Sequence, residues 1–99
     1  MTPGADLAGL TQDYRIAFLR YLPRHDEGAL TAGYAIGREA IAGSVSLLDL
    51  VLVHHSVLRE VLEQTSAGER SELVDAAGTF FCEVVAAYEM AQRAHLDRD

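Results

Sequence analysis

Lysine is missing from this 99-residue chain, cysteine occurs once, proline twice, and no apolar run is long enough to cross a bilayer. Each absence narrows the reading. All eight basic residues are arginine, and fifteen acidic residues outnumber them to give a formal charge of −7. Such a field repels phosphate backbones and anionic lipid surfaces and favours basic protein partners, so neither nucleic acid nor a membrane is expected as a ligand. The lone Cys82 cannot form an intramolecular disulfide, and nothing argues for an oxidising compartment; the cytoplasm is the expected location. The longest apolar stretch, Val45 to Val53, is interrupted by Ser46 and Asp49 and falls well short of the roughly 18 residues a spanning helix needs. The first seven residues carry no basic side chain and no apolar run of signal-peptide length, so no export signal is expected there. No segment sustains the strict apolar/polar alternation of a strand, and no internal repeat is visible.

What is there is apolar material at helical spacing. Apolar residues make up 49% of the chain and charged residues 23%, enough for one core in one domain spanning 1–99, with about 6–96 structured. The spacing predicts an all-α, four-helix domain. A first helix should run from about Asp6 to about Leu22, with Leu7, Leu10, Tyr14, Ala17, Phe18 and Tyr21 on one face, and Pro23 should stop it. Asp26 is placed to cap a second helix that ends near Gly43, where glycine would permit a left-handed turn. Ser46 and Asp49 have the spacing of a capping box for a third helix reaching about Thr65, and Ser66 and Glu69 repeat it for a fourth, from about Ala67 to about His95.

Two faces stand out as surfaces. In the second helix Ala29, Gly33, Gly37 and Ile41 share a stripe that would admit a neighbouring backbone, while Glu27, Thr31, Tyr34 and Arg38 form a mixed polar and aromatic strip suited to docking a partner. In the third helix one apolar stripe contains Leu50, His54 and Val57, and a second contains Leu48, Leu52, His55 and Leu62. A monomer needs only one, so the second stripe is expected to meet another copy of the chain and make a homodimeric bundle.

Catalytic chemistry is hard to place. His54 and His55 are neighbours and point about 100° apart on a helix, so they cannot converge on one metal ion, and no cysteine or carboxylate lies at a useful spacing. Cys82 has only Glu83 beside it, on a different face, and reads as a small packing residue. Glu60, Glu63, Glu69, Glu72 and Asp75 are scattered along wet faces. The reading is a non-catalytic domain with no cofactor and no metal. The enzyme-like alternative is a four-helix phosphoacceptor domain, of the histidine phosphotransfer or kinase-dimerisation kind, with the acceptor at His54 or His55. Such an acceptor must be exposed, whereas His54 falls within an apolar stripe.

Several fragments in order carry a resemblance: Glu27-Gly-Ala-Leu30 leading into Tyr34-Ala-Ile-Gly-Arg38, then His54-His-Ser-Val-Leu58, then Phe80-Phe-Cys-Glu83 followed by Tyr88-Glu-Met90 and Arg93. Together they span about Tyr14 to His95, and over that span the chain is similar to the N-terminal domain of RsbU-type phosphatases, regulators of bacterial stress-response partner switching. The resemblance implies an all-helical homodimer that receives an RsbT-type switch kinase, whose docking turns on an attached PP2C-like phosphatase in sigma-factor control. It places the kinase-binding surface at Glu27, Thr31, Cys82 and Ala86. Thr31 and Ala86 are smaller than the pattern leads one to expect. The domain the resemblance would attach is the phosphatase, so these residues are read either as the N-terminal part of a longer protein or, departing from the family pattern, as a module joined to another domain such as a sensor or a kinase-like ATPase.

Overall fold

The computed structural model describes residues 7–97, and these form four helices: α1 (Leu7–Arg24), α2 (Glu27–Ala42), α3 (Leu47–Glu63) and α4 (Arg70–Asp97), the last preceded by a 3₁₀ turn at Ala67–Glu69. No strand occurs among the described residues, so the chain is all-α as its periodicity predicts. At 1.5 Å per residue, the 28 residues of α4 span about 42 Å and account for most of the molecule's 49 Å length.

The helix starts follow the capping residues. The Asp26 carboxylate accepts from the Ala29 amide at 2.9 Å, and Ser46 and Asp49 close a full capping box, with Asp49 N–H donating to the Ser46 hydroxyl at 3.0 Å and Ser46 N–H to the Asp49 carboxylate at 3.3 Å. The second expected box is not built. The Ser66 hydroxyl donates to the Glu69 carboxylate at 3.1 Å and caps no amide; the chain enters α4 through the 3₁₀ turn, closed by Glu69 N–H to the Ser66 carbonyl.

The helix stops are different from those the sequence suggests. Pro23 lies inside the last turn of α1, which continues to Arg24. So near the end its missing donor and ring clash cost little, and the stop is made by His25, in left-handed conformation (φ 52°), whose N–H returns to the Tyr21 carbonyl at 2.7 Å. The expected start at Asp6 lies outside the described residues. At the end of α2, Gly43 keeps a negative φ, and Ser44 takes the left-handed position (φ 60°). Ser44 N–H bonds the Ile41 carbonyl at 3.1 Å and Val45 N–H the Ala40 carbonyl at 2.8 Å, which is the Schellman pattern with serine where glycine is usual.

The core is aromatic and centred on Phe80. Its fully buried ring meets Tyr14 edge-on at 5.3 Å between centroids, and lies 5.6 Å from Phe18 and 5.7 Å from Tyr21, so one residue of α4 gathers three from α1. Burying each such side chain contributes roughly 1.5–3 kcal/mol. Leu50, Val57 and Val84 complete the closed interior. The glycine stripe of α2 is used as expected: a Cβ on Gly33 would stand 3.0 Å from the Phe80 ring, and one on Gly37 would run into the Val84 carbonyl oxygen. Because Gly33 faces Phe80 and Val84 while Gly37 faces Val84 and Tyr88, α2 and α4 run in the same direction with backbones nearly touching. The Tyr88 hydroxyl then donates to the Val45 carbonyl at 3.1 Å and ties the α2–α3 loop to α4. Arg15 of α1, half-buried, bonds Glu60 of α3 at 2.8 Å, so these two residues share an ion pair instead of pointing separately into water.

Candidate docking and pairing surfaces

The α2–α4 pair offers the first surface. Glu27, Thr31 and Arg38 are exposed and Tyr34 is partly so, all on the flank of α2 beside the glycine stripe. Tyr34 and Arg38 line one cleft of about 720 Å³ together with Ile41 of α2 and Met90, Ala94 and His95 of α4. The Arg38 guanidinium sits 6.0 Å from the Tyr34 ring centroid and forms no ion pair among the described residues, so its charge is available to a partner. Thr31 is less polar than its name suggests, because its hydroxyl already donates to the Glu27 carbonyl of its own helix at 2.9 Å.

On α4, Cys82 and Ala86 are exposed and one turn apart. Cys82 is exposed and lies about 160° around the helix from the buried Phe80 and Val84 and about 120° from Tyr88, so its expected role as a packing residue is wrong. Neither Cys82 nor Ala86 lines the cleft that holds Tyr34 and Arg38. Met90, 58% exposed, does line it and sits one turn beyond Ala86; continuing the Cys82–Ala86 stripe along the helix period would have found it.

The second surface lies on the other flank of α4, against α3. Leu48 and Leu52 are 66% and 57% exposed, His55 is exposed and Leu62 is half-buried, so α3 is not a central helix: its second stripe faces outward. His55, Leu58 and Leu62 floor a shallow cleft of about 350 Å³ rimmed by Arg59, Glu63 and Arg70. The stripe does not stand alone. Phe81 of α4 stacks on His54 of α3, and Val74 and Val85, seven residues before and four after Phe81, carry the same flank of α4 outward beside the leucines. These three were not picked out as surface residues from the sequence, because the dense apolar pattern of α4 does not separate a core face from a second one.

Beneath this face lies a polar junction. The Tyr14 hydroxyl bonds His54 Nδ1 at 2.6 Å, and the imidazole lies 4.1 Å from the Phe81 ring, nearly parallel to it. Burial pushes the Tyr14 phenol far above its ordinary range, so it keeps its proton and donates to the imidazole. Burial, and secondarily the charge of neighbouring His55, hold His54 below the usual histidine range. A half-buried ring with one nitrogen occupied and one face covered is poorly placed to receive a phosphoryl group from another protein. Among the described residues no group of three or more histidine, cysteine or acidic side chains converges as a metal site, and no helix is long and apolar enough to cross a membrane.

Residues 12–91 match the family model described as phosphoserine phosphatase RsbU, N-terminal domain. The chain belongs to this family. No curated protein and no solved structure matches it. The match covers the aromatic core, the Glu27–Arg38 strip, the whole of α3 and α4 as far as Ala91, so both surfaces lie almost wholly within it. An RsbU N-terminal domain is a regulatory part of a phosphatase, tied to stress signalling and to protein–protein interaction. That agrees with a helical module whose distinctive features are two surfaces.

Proposed function

We propose that this RsbU N-terminal domain is a non-catalytic docking module that pairs with a second copy through the α3–α4 face and receives an RsbT-type switch kinase on the α2–α4 face. Kinase docking activates a PP2C-like phosphatase attached to the domain, which removes phosphate from an anti-sigma-factor antagonist in the cytoplasm. Family membership supports the regulatory role. The observation that carries the arrangement is the separation of two unlike surfaces on opposite flanks of α4. One is apolar at its centre, with Leu48, Leu52 and Val74 standing in water and Arg59, Glu63 and Arg70 at its rim, as suits a self-pairing surface. The other mixes the exposed Glu27 and Arg38 with Tyr34 and Met90, as a surface for a partner that comes and goes requires. Kinase binding at Glu27, Thr31, Cys82 and Ala86 is therefore compatible with pairing at Leu48, Leu52, His55 and Leu62.

The test is a calorimetric titration of the domain with an RsbT-type kinase, run beside light scattering of the domain alone. A dimer mass and one kinase bound per copy is the expected result. A dimer that binds no kinase would overturn the docking half, and a monomer that binds it would overturn the pairing half.

A further inference from the structure

Tyr14 is fully buried, and its hydroxyl has a single partner, His54 Nδ1. The imidazole in turn meets the Tyr14 ring edge-on at 5.9 Å and lies flat on Phe81, 14° from parallel. One histidine thus joins α1, α3 and α4, with Phe81 of the apolar face covering one side of its ring.

This junction fits only one protonation state. Neutral imidazole presents a lone pair at Nδ1, into which the buried hydroxyl donates. Imidazolium carries a proton on both nitrogens, so Nδ1 becomes a donor, the hydroxyl must turn to accept, and the Tyr14 proton is left in a closed site without an acceptor. No other charge offsets this. From α1 the group facing His54 is the Tyr14 hydroxyl; from α4 it is the uncharged Phe81 ring; on α3 itself, neighbouring His55 opposes a second positive charge. The Arg15–Glu60 pair lies about a third of a turn round α3, and among the described residues no carboxylate pairs with His54.

We propose that Tyr14, His54 and Phe81 form an acid-sensitive latch: proton uptake by His54 loosens α3 from α1 and α4 and thereby weakens the pairing of two copies across the α3–α4 face. The second step rests on the pairing proposed above; the first does not. The sign follows from linkage. Folding holds the His54 pKa below its unfolded value of about 6.5, so the unfolded chain takes up the proton first. Stability that is complete above that pH is lost as the pH falls from there towards the folded value.

The experiment follows the histidine ring signals by NMR from about pH 8 to about pH 5, with thermal melts and light scattering at both ends of the range, for the wild type, His54→Asn and Tyr14→Phe. Asparagine can place a carbonyl oxygen near the Nδ1 position, accept from Tyr14 and not titrate. His54 is expected to titrate below the ordinary histidine range. The wild type should melt lower in acid and its dimer dissociation constant should rise several-fold, while His54→Asn loses most of both responses. In Tyr14→Phe the His54 midpoint should move back towards the ordinary value, with the other histidines unmoved. A His54 midpoint at the ordinary value, or equal acid responses in wild type and His54→Asn, would overturn the latch. Should His54→Asn not fold, the wild-type and Tyr14→Phe midpoints still decide it. A wild type that is monomeric at both ends would overturn the pairing, and with it the second step, while the titration and melts decide the first.

Discussion

Gly37 of α2 approaches Val84 of α4 so closely that the Val84 carbonyl oxygen occupies the space a Cβ would need, with the Ala87 methyl 2.9 Å and the Tyr88 amide nitrogen 3.0 Å from the same point. Two of those three neighbours are backbone and cannot swing aside. Gly37→Ala should therefore push the helices apart and cost about 1–3 kcal/mol, even though alanine gains up to about 1 kcal/mol in helix propensity. Gly33→Ala meets the Phe80 ring at 3.0 Å, a side chain that can yield slightly, and should cost less. Gly78, helical and exposed with nothing within 4 Å, reverses the sign: Gly78→Ala should stabilise by roughly 0.5–1 kcal/mol. Urea melts of the three variants check the order; a Gly37→Ala as stable as Gly78→Ala would show that the helices are not in backbone contact.

Ser44 holds the left-handed position of the α2 stop at φ 60°, where a side chain costs roughly 1–2 kcal/mol that glycine avoids. Ser44→Gly should raise stability by up to about 1 kcal/mol, after glycine's larger loss of chain entropy on folding. Gly43→Ala, at a position with negative φ, should be close to neutral. If instead Gly43→Ala proves the damaging change, the left-handed residue has been misplaced by one.

Helix existence was legible in this chain because the apolar period and the caps at Asp26 and Ser46 act locally, within three residues. The stops were less legible. His25 and Ser44 take left-handed backbone without being glycine: His25 stacks on Tyr21, one turn back in the helix that His25 ends, at 5.0 Å, whereas Val45, just past Ser44, accepts the Tyr88 hydroxyl from a residue 43 positions away. Sequence spacing carries no trace of the second contact. The surfaces divide in the same way. Glu27, Thr31, Tyr34 and Arg38 could be grouped from one helix alone, whereas the cleft they share with Met90 and His95, and the flank that Phe81 adds to the α3 leucines, need two helices to be brought together.

Glu27 begins α2 with its side chain in water, where it makes no ion pair among the described residues. Reversing its charge should leave the core untouched and cost the helix no more than about 1 kcal/mol through the macrodipole. If the kinase docks here, Glu27→Lys should weaken it by about 2 kcal/mol or more, roughly 30-fold, with an unchanged circular dichroism spectrum. Cys82 supplies an independent reading. As an exposed and solitary thiol it should label completely with a maleimide under native conditions, and bound kinase should slow the labelling. Full-rate labelling in a saturated complex, with unchanged affinity of Glu27→Lys, would move the docking site to another face.

Leu48 and Leu52 point into water on adjacent turns of α3, and replacing either removes no contact from the closed core around Phe80, Leu50 and Val57. Their effect on stability and on assembly can thus be separated. Leu52→Glu should alter the monomer's stability by no more than about 0.5 kcal/mol, the usual range for a surface substitution. In the paired state it would place two carboxylates in an apolar interface, related by the two-fold axis that isologous pairing requires, and the cost of desolvating them should be several kcal/mol. Light scattering at tens of micromolar should give a dimer mass for the wild type and a monomer mass for Leu52→Glu, while Val85→Glu on the neighbouring flank of α4 should act in the same direction. Ile16→Glu, another exposed apolar residue but on α1, is the control that should leave the mass unchanged. If Ile16→Glu dissociates the dimer and Leu52→Glu does not, the copies meet through α1, and the α3 leucines need another occupant.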